Sequence, residues 1–364
     1  MKIALVELST KNHHSLIFNW LSAAKINNWE VVLFTTDEIY KATQGSYNEF
    51  DYEVVLYSKV TFMNFLRMKN KIRTSGVNQT VFLTMQSHFI EFYLANLFNL
   101  NYGITVHNTN AWFNGNSPKK LSHYLKGYIR NKIKKKSNFF VVNSSNMYKS
   151  AEATKNVDKP LLIMPFSLKK NNQRDTKENS MDRLTVVYPG MVDIQRKRYD
   201  NFARLANENP KDKFILLGKP SSELAVEAIM EEMKKIKNIK LFDSFISIED
   251  FEKYMIEADL LFSDILVDYN ISDMSEVYGK TKDSGISYLM AEFELPCLLN
   301  DEFENLRELE CASVNFTNYD NLINQYMKLK DKEKLIEIEK QLHNSLKNFT
   351  MESFSEKLKI IETY

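Results

Sequence analysis

Short runs of β-branched and aromatic residues alternate with stretches whose apolar residues recur every three or four positions, and the alternation continues through most of the chain. In the first half the runs predict strands near 2–8, 30–35, 53–57, 80–85, 103–107, 138–143 and 161–164. Between them lie helical patterns such as Leu16, Ile17, Trp20, Leu21 and Ala24, which share one face. A second series predicts strands near 184–188, 213–217, 239–242, 259–262 and 296–299, with helices near 197–208, 221–236, 248–257 and 284–293. From about 319 onward the pattern is helical only. Strands alternating with helices in this way specify parallel sheets covered on both faces, an α/β class. The polar run KKNNQRDTKENSMDR, residues 169–183, interrupts the series and reads as a linker. The organisation expected is therefore a first domain over 1–168, a second over 184–345 and a terminal helix over 346–364 that crosses back to the first. Two such domains facing each other leave a cleft at the carboxyl ends of their strands, where open α/β sheets bind ligands.

With 364 residues, 44% of them hydrophobic and 26% charged, the chain is long enough for two cores and too apolar for wholesale disorder. The net charge of +1 conceals a division. Residues 1–170 hold 22 Lys and Arg against 10 Asp and Glu, whereas 171–364 hold 26 against 37. No acid occurs between Glu91 and Glu152. Cys297 and Cys311 are too few for a disulfide framework or a four-ligand zinc site and suit a reducing compartment. No apolar run is long enough to span a membrane, and KIALVEL follows Met1 directly, so a cytoplasmic protein is expected.

Neither GxGxxG nor GxxxxGK[ST] occurs, which removes the simplest dinucleotide and ATP readings. Two other junctions suit a phosphate. The first is YPGMVDIQRKRY, residues 188–199, where Gly190 leads into Arg196, Lys197 and Arg198 between a strand and a helix. Charge-assisted donors and free backbone amides at such a place can hold a diphosphate. The second is EVYGKTKDSG, residues 276–285, where Lys280 and Lys282 precede amides near Ser284 and Gly285 at another helix start. The competing readings are a solvent-facing basic turn at the first and an ordinary cap by Asp283 or Ser284 at the second.

Over nearly the whole chain these features resemble the GT-B glycosyltransferases, which have two Rossmann-like doubly wound domains facing a cleft. PGMVDIQRKRYDNF is similar to their donor-domain loop PGxVxxxRRxY, FILLGKP with Gly218 to the next strand and glycine, and YGKTKDSG to the GxxKxSG segment that binds donor phosphate. ITVHNTNAWF resembles the strand that ends in a cleft-facing histidine. The resemblance implies transfer of a sugar from a nucleotide diphosphate sugar to a glycan or lipid-linked acceptor, with UDP among the candidate nucleotides. It implies a donor site formed by Gly190, Arg196, Lys197, Gly218, Lys280, Lys282, Ser284 and Gly285, and a contact from His107 to a sugar hydroxyl. Glu7, His13 and His14, after the first strand, stand where an inverting enzyme holds its general base, with Glu7 and His14 taken as the catalytic pair and capping or surface roles as the alternative. Two departures stand out. Leu289 occupies the position expected for a ribose-binding acid, with Glu292 one turn away, and Ser284 stands eight residues after Glu276, where many retaining enzymes have a second glutamate. These keep a catalytically silent binding subunit and a UDP-sugar epimerase in view.

Asp264, Asp268, Asp273 and Glu276 lack metal-ligand spacing, so an acidic loop and a metal-free donor site are expected. Between Lys119 and Lys136, eight cations interleave with Leu121, Tyr124, Leu125, Tyr128, Ile129 and Ile133 at helical spacing. This basic amphipathic helix predicts peripheral attachment to an anionic membrane at its inner face, with Tyr124, Tyr128 and Ile133 entering the interface. A solvated helix is the alternative. The absence of nucleic-acid motifs argues against a nucleic-acid partner.

Overall fold

The computed structural model describes residues 1–10, 13–85, 88–114, 121–168, 183–271 and 274–364. The expected linker, apart from Arg183, lies outside these residues, as do Lys119, Lys120 and Asp273.

In the first domain, seven strands form one parallel sheet: β1 (Lys2–Glu7), β2 (Glu30–Thr36), β3 (Glu53–Tyr57), β4 (Gln79–Phe82), β5 (Tyr102–Val106), β6 (Phe139–Val142) and β7 (Leu161–Ile163). Their order is β3-β2-β1-β4-β5-β6-β7. The second sheet contains β8 (Thr185–Pro189), β9 (Lys213–Leu217), β10 (Ile239–Lys240), β11 (Leu260–Ser263), β14 (Cys297–Asn300) and β15 (Ser313–Phe316). It runs β10-β9-β8-β11-β14-β15, again parallel throughout. Between β11 and β14 an antiparallel hairpin, β12 (Asp268–Ile271) with β13 (Met274–Val277), stands apart from both sheets.

Runs such as Ile3–Val6, Phe139–Val142, Phe214–Leu217 and Leu260–Phe262 have almost no exposed surface, because helices cover both sides of each strand. Each sheet therefore has a core on either face. Strand order reverses at β1/β4 in one sheet and at β8/β11 in the other, and the crevice beyond the carboxyl ends of such strands is open to ligands.

Two differences from the sequence pattern concern the second domain. The helix expected from 197 begins only at Asp200, because the Asp193 carboxylate accepts from the Arg196 amide and Lys197 bridges to Ile265, holding the three cations in a loop. The acidic loop is the β12–β13 hairpin. At the C-terminus, the helix Met351–Leu358 packs on the first-domain helix His14–Ile26, with Leu358 and Ile361 fully buried in that domain's core. Asn27 donates to the Ser355 carbonyl and Trp29 to Glu362.

Candidate active site in the interdomain cleft

The side chains of interest converge on the two strand-order reversals. Glu7 ends β1 with no exposed surface, and its Oε1 accepts from the Ser9 and Thr10 amides at 2.8 and 3.2 Å. Its Oε2 accepts from the Thr84 hydroxyl. A carboxylate so enclosed cannot itself reach an acceptor; its role is to organise neighbours. The histidine beside it is His13, with Nδ1 3.6 Å from Glu7 Oε2 and 2.5 Å from Thr84 Oγ1. Because the Thr84 proton goes to Glu7, His13 Nδ1 must donate to Thr84, which leaves Nε2 with a free lone pair. His14 starts the following helix, and its carbonyl accepts from Tyr47. Of the expected Glu7, His13 and His14, the contacts of the described residues join Glu7 to His13 through Thr84.

His107 ends β5 and is 7% exposed, its ring 4.6 Å from that of His13. Nε2 donates to the Leu83 carbonyl at 2.7 Å and Nδ1 faces Asn143 Oδ1 at 3.0 Å. Burial lowers its pKa to about 3, so the ring is neutral. A neutral ring has one N–H for these two acceptors, so only the Leu83 contact is a hydrogen bond; with that N–H spent and the ring 7% exposed, the expected contact from His107 to a sugar hydroxyl is not what this geometry provides.

On the second domain, Gly190 has φ +92° and donates to the Leu217 carbonyl at 2.9 Å. A Cβ on Gly218 would fall 2.0 Å from the Gly190 carbonyl oxygen, so the loops after β8 and β9 touch backbone to backbone. Within this tight turn the three consecutive cations differ. Arg196 is held by Asp193 through Nε at 2.9 Å and through Nη2. Arg198 is shared by Asp264 and Glu302 at 3.5 and 3.3 Å. Lys197 donates to the Pro189 carbonyl at 2.7 Å and lies 4.9 Å from the Tyr188 ring centroid, and it makes no ion pair among the described residues. Burial pushes its ammonium down to about 7, opposed by the charge of Asp193 and reinforced by that of Arg196.

The second junction divides its lysines. Lys280 points outward to Glu304 at 3.4 Å and does not join the cleft. Lys282 is largely enclosed and donates to Asn108 of the first domain at 2.9 Å, its pKa lowered chiefly by burial, with Arg196 adding to the effect. Arg196 thus lies close enough to both Lys197 and Lys282 to disfavour their charge, while Glu276 and Asp283 favour that of Lys282. Such a cluster is stabilised by an anion. Ser284 caps the nine-residue helix Gly285–Phe293 by accepting from Ile286, and a Cβ on Gly285 would meet open space. Leu289 packs into the second-domain core, while Glu292 accepts from Ser167 at 2.8 Å.

The sequence pattern pointed to Glu276 and Asp283 but not to the contacts by which they join the domains. Glu276 has no exposed surface and accepts from the Asn110 and Ala111 amides at 3.3 and 2.9 Å, where burial raises its pKa. Asp283, also raised by burial, accepts from Ser144 at 2.6 Å and from Tyr288, whose hydroxyl also reaches the Asn143 carbonyl. Asn146 donates to the carbonyls of Gly279 and Asn305, both at 2.9 Å. Asp193, three residues before Arg196, also left a local signal. Among the described residues no group of three or more His, Cys, Asp or Glu side chains is arranged to hold a metal ion.

Solved structures share this fold. A glycosyltransferase from Rickettsia africae superposes with a TM-score of 0.69 at 13% identity, covering 100% of this chain and 98% of that one. The fold is GT-B. The GT-B likeness extends to the HepE protein of Anabaena in complex with UDP and glucose, with a TM-score of 0.65, 12% identity and coverage of 100% and 99%. It also extends to a UDP-GlcNAc 2-epimerase from Neisseria meningitidis bound to UDP-GlcNAc, with a TM-score of 0.60, 11% identity and full coverage of both chains. No protein-family model and no curated protein matches the sequence.

Proposed function

We propose that this protein is a glycosyltransferase that takes a sugar from a nucleoside diphosphate sugar, the diphosphate lying against the second domain. The observation that carries the reading is Lys197, the one cation of the 196–198 triplet without an ion pair among the described residues, half-buried beside Arg196 in the loop after β8. A diphosphate there supplies the missing counter-charge and stabilises the leaving group as the bond to the sugar breaks. On the first domain, His13 Nε2 takes the proton of the attacking hydroxyl while Thr84 and Glu7 hold the ring. The acceptor oxygen bonds to the anomeric carbon, the diphosphate oxygen departs with its electron pair, and a base on the acceptor side suits a single displacement. The GT-B neighbours crystallised with UDP or UDP-sugars support UDP as the nucleotide to try first.

The epimerase neighbour supports a second reading on the same donor site. Calorimetry with UDP and uridine tests the shared claim: UDP should bind far more tightly than uridine, and Lys197→Met should remove most of that difference. Equal affinities would reject the diphosphate site. Incubation with UDP-GlcNAc without acceptor, followed by proton NMR, separates the two reactions. Conversion at C2 favours the epimerase, whereas slow UDP release that is lost in His13→Ala favours transfer.

A further inference from the structure

The first-domain helices Phe62–Thr74, Phe89–Leu94 and Leu121–Lys136 lie side by side, the short middle one touching both others. Phe65, Met68, Phe92, Ile129 and Ile133 fill their inner faces, so Ile133 is a core residue and cannot enter a membrane interface as the sequence pattern suggested. Outward stand Met63, Ile90, Leu94, Tyr124, Leu125 and Tyr128, between 49% and 65% exposed. Of the 18 large apolar side chains exposed among the described residues, these six and Phe62 all fall on three helices. Isolated exposed apolar residues need no explanation, but a concentration of this kind does.

The same helices carry ten Lys and Arg and a single acid, Glu91, whose carboxylate lies 3.9 Å from His88. Some of these cations are occupied. Lys132 lies 4.7 Å from the Tyr93 ring centroid, Lys69 donates to the Ala95 carbonyl and Lys71 pairs with Glu53. Arg67, Arg73, Lys126, Lys135 and Lys136 are exposed. All three helices follow β3, β4 or β5 and begin at the carboxyl ends of the sheet, which is the cleft side. The apolar residues Met63, Ile90, Tyr124 and Leu125 sit in or just past the first turns, toward the carboxyl end of the sheet, while Lys135 and Lys136 close the last turn farther back.

We infer that this three-helix face docks on an anionic lipid bilayer, its apolar end inserted and its cations against the headgroups. Apolar protrusions with cations farther back on the same helices, and almost no acid, match the boundary between acyl chains and anionic headgroups. A two-fold contact with a second copy would instead set cations against cations. Docked in this way, the cleft rim meets the membrane, and the acceptor is lipid-anchored; that second statement rests on the glycosyltransferase reading, whereas the docking does not.

Cosedimentation with phosphatidylcholine vesicles, with and without phosphatidylglycerol, tests the face. Wild-type protein should sediment only with the anionic vesicles and be released by salt. Two variants confined to exposed positions, Leu94→Gln/Leu125→Gln/Tyr128→Gln and Arg67→Gln/Lys126→Gln/Lys135→Gln/Lys136→Gln, should each lower partitioning by at least about tenfold while unfolding at the wild-type denaturant midpoint. Wild-type protein that stays in the supernatant at low salt overturns the inference, and so does an apolar variant that binds as well as wild type. Sedimentation velocity without lipid covers the rival occupant: a wild-type dimer abolished by the apolar substitutions would assign the face to a second copy. UDP-glucose affinity, measured separately, keeps the two claims distinct. Vesicle binding without donor binding preserves the docking and rejects the transfer reading, and the converse result does the opposite.

Discussion

Lys197 shows how much one buried ammonium can decide. Burial lowers its pKa from the ordinary lysine value of 10.5 to about 7, so above neutrality the unliganded side chain is largely uncharged. A bound diphosphate favours the protonated form, and binding at higher pH must therefore take up a proton. Affinity for UDP-glucose, whose diphosphate is esterified at both ends and does not itself titrate nearby, should fall as pH rises above about 7, by up to about tenfold per unit. Lys197→Arg keeps its charge throughout and should flatten the profile. Calorimetry from about pH 6 to about pH 9 checks this, and a flat wild-type profile would remove Lys197 from the site. The sign for folding is opposite in origin. Between about 7 and 10.5 the unfolded chain binds the extra proton, so the unliganded fold gains stability as pH rises through that window.

At the scale of elements, the loops after β8 and β9 function as one unit because Gly190 and Gly218 meet without side chains. Gly218→Ala would place a methyl group 2.0 Å from the Gly190 carbonyl oxygen, backbone that cannot swing aside as a flexible side chain would. A loss of about 1–3 kcal/mol in urea unfolding is expected, together with weaker UDP-glucose binding as the Pro189–Lys197 contact shifts. Wild-type stability and affinity would mean that the loops are not coupled. The strands of both sheets other than β15 were legible in the sequence because continuous buried apolar runs are a local signal, and so was the Pro189–Gly190 turn; β15, SVNF at the sheet edge, carries no such run. The β12–β13 hairpin was not. Its residues DYNISDMSEV are too polar to read as strand, and Glu276 owes its burial to amides of the first domain, 165 and 166 residues away. The choice between His13 and His14 likewise depends on a one-residue phase at a helix start, which composition does not fix. Lys280 and Lys282 are two residues apart, yet one pairs with Glu304 on the surface and the other crosses to Asn108.

In the whole molecule, a basic first domain and an acidic second one close on each other through contacts that use the candidate site itself. Thr109 donates across the cleft to the Thr281 carbonyl, through its amide at 2.9 Å and its hydroxyl at 3.1 Å, beside the Lys282–Asn108 and Glu276–Ala111 bonds. The helix Met351–Leu358 adds a second tie by returning to the first-domain core. The central claim is that a nucleoside diphosphate sugar enters between these domains against the second one. Hydrogen exchange read by mass spectrometry, with and without saturating UDP-glucose, tests it most directly. The expected result is slower exchange over residues 189–200 and at the start of the Gly285–Phe293 helix, with β2 and β3 unchanged. No protection at saturation, or protection confined to the first domain, would contradict the account.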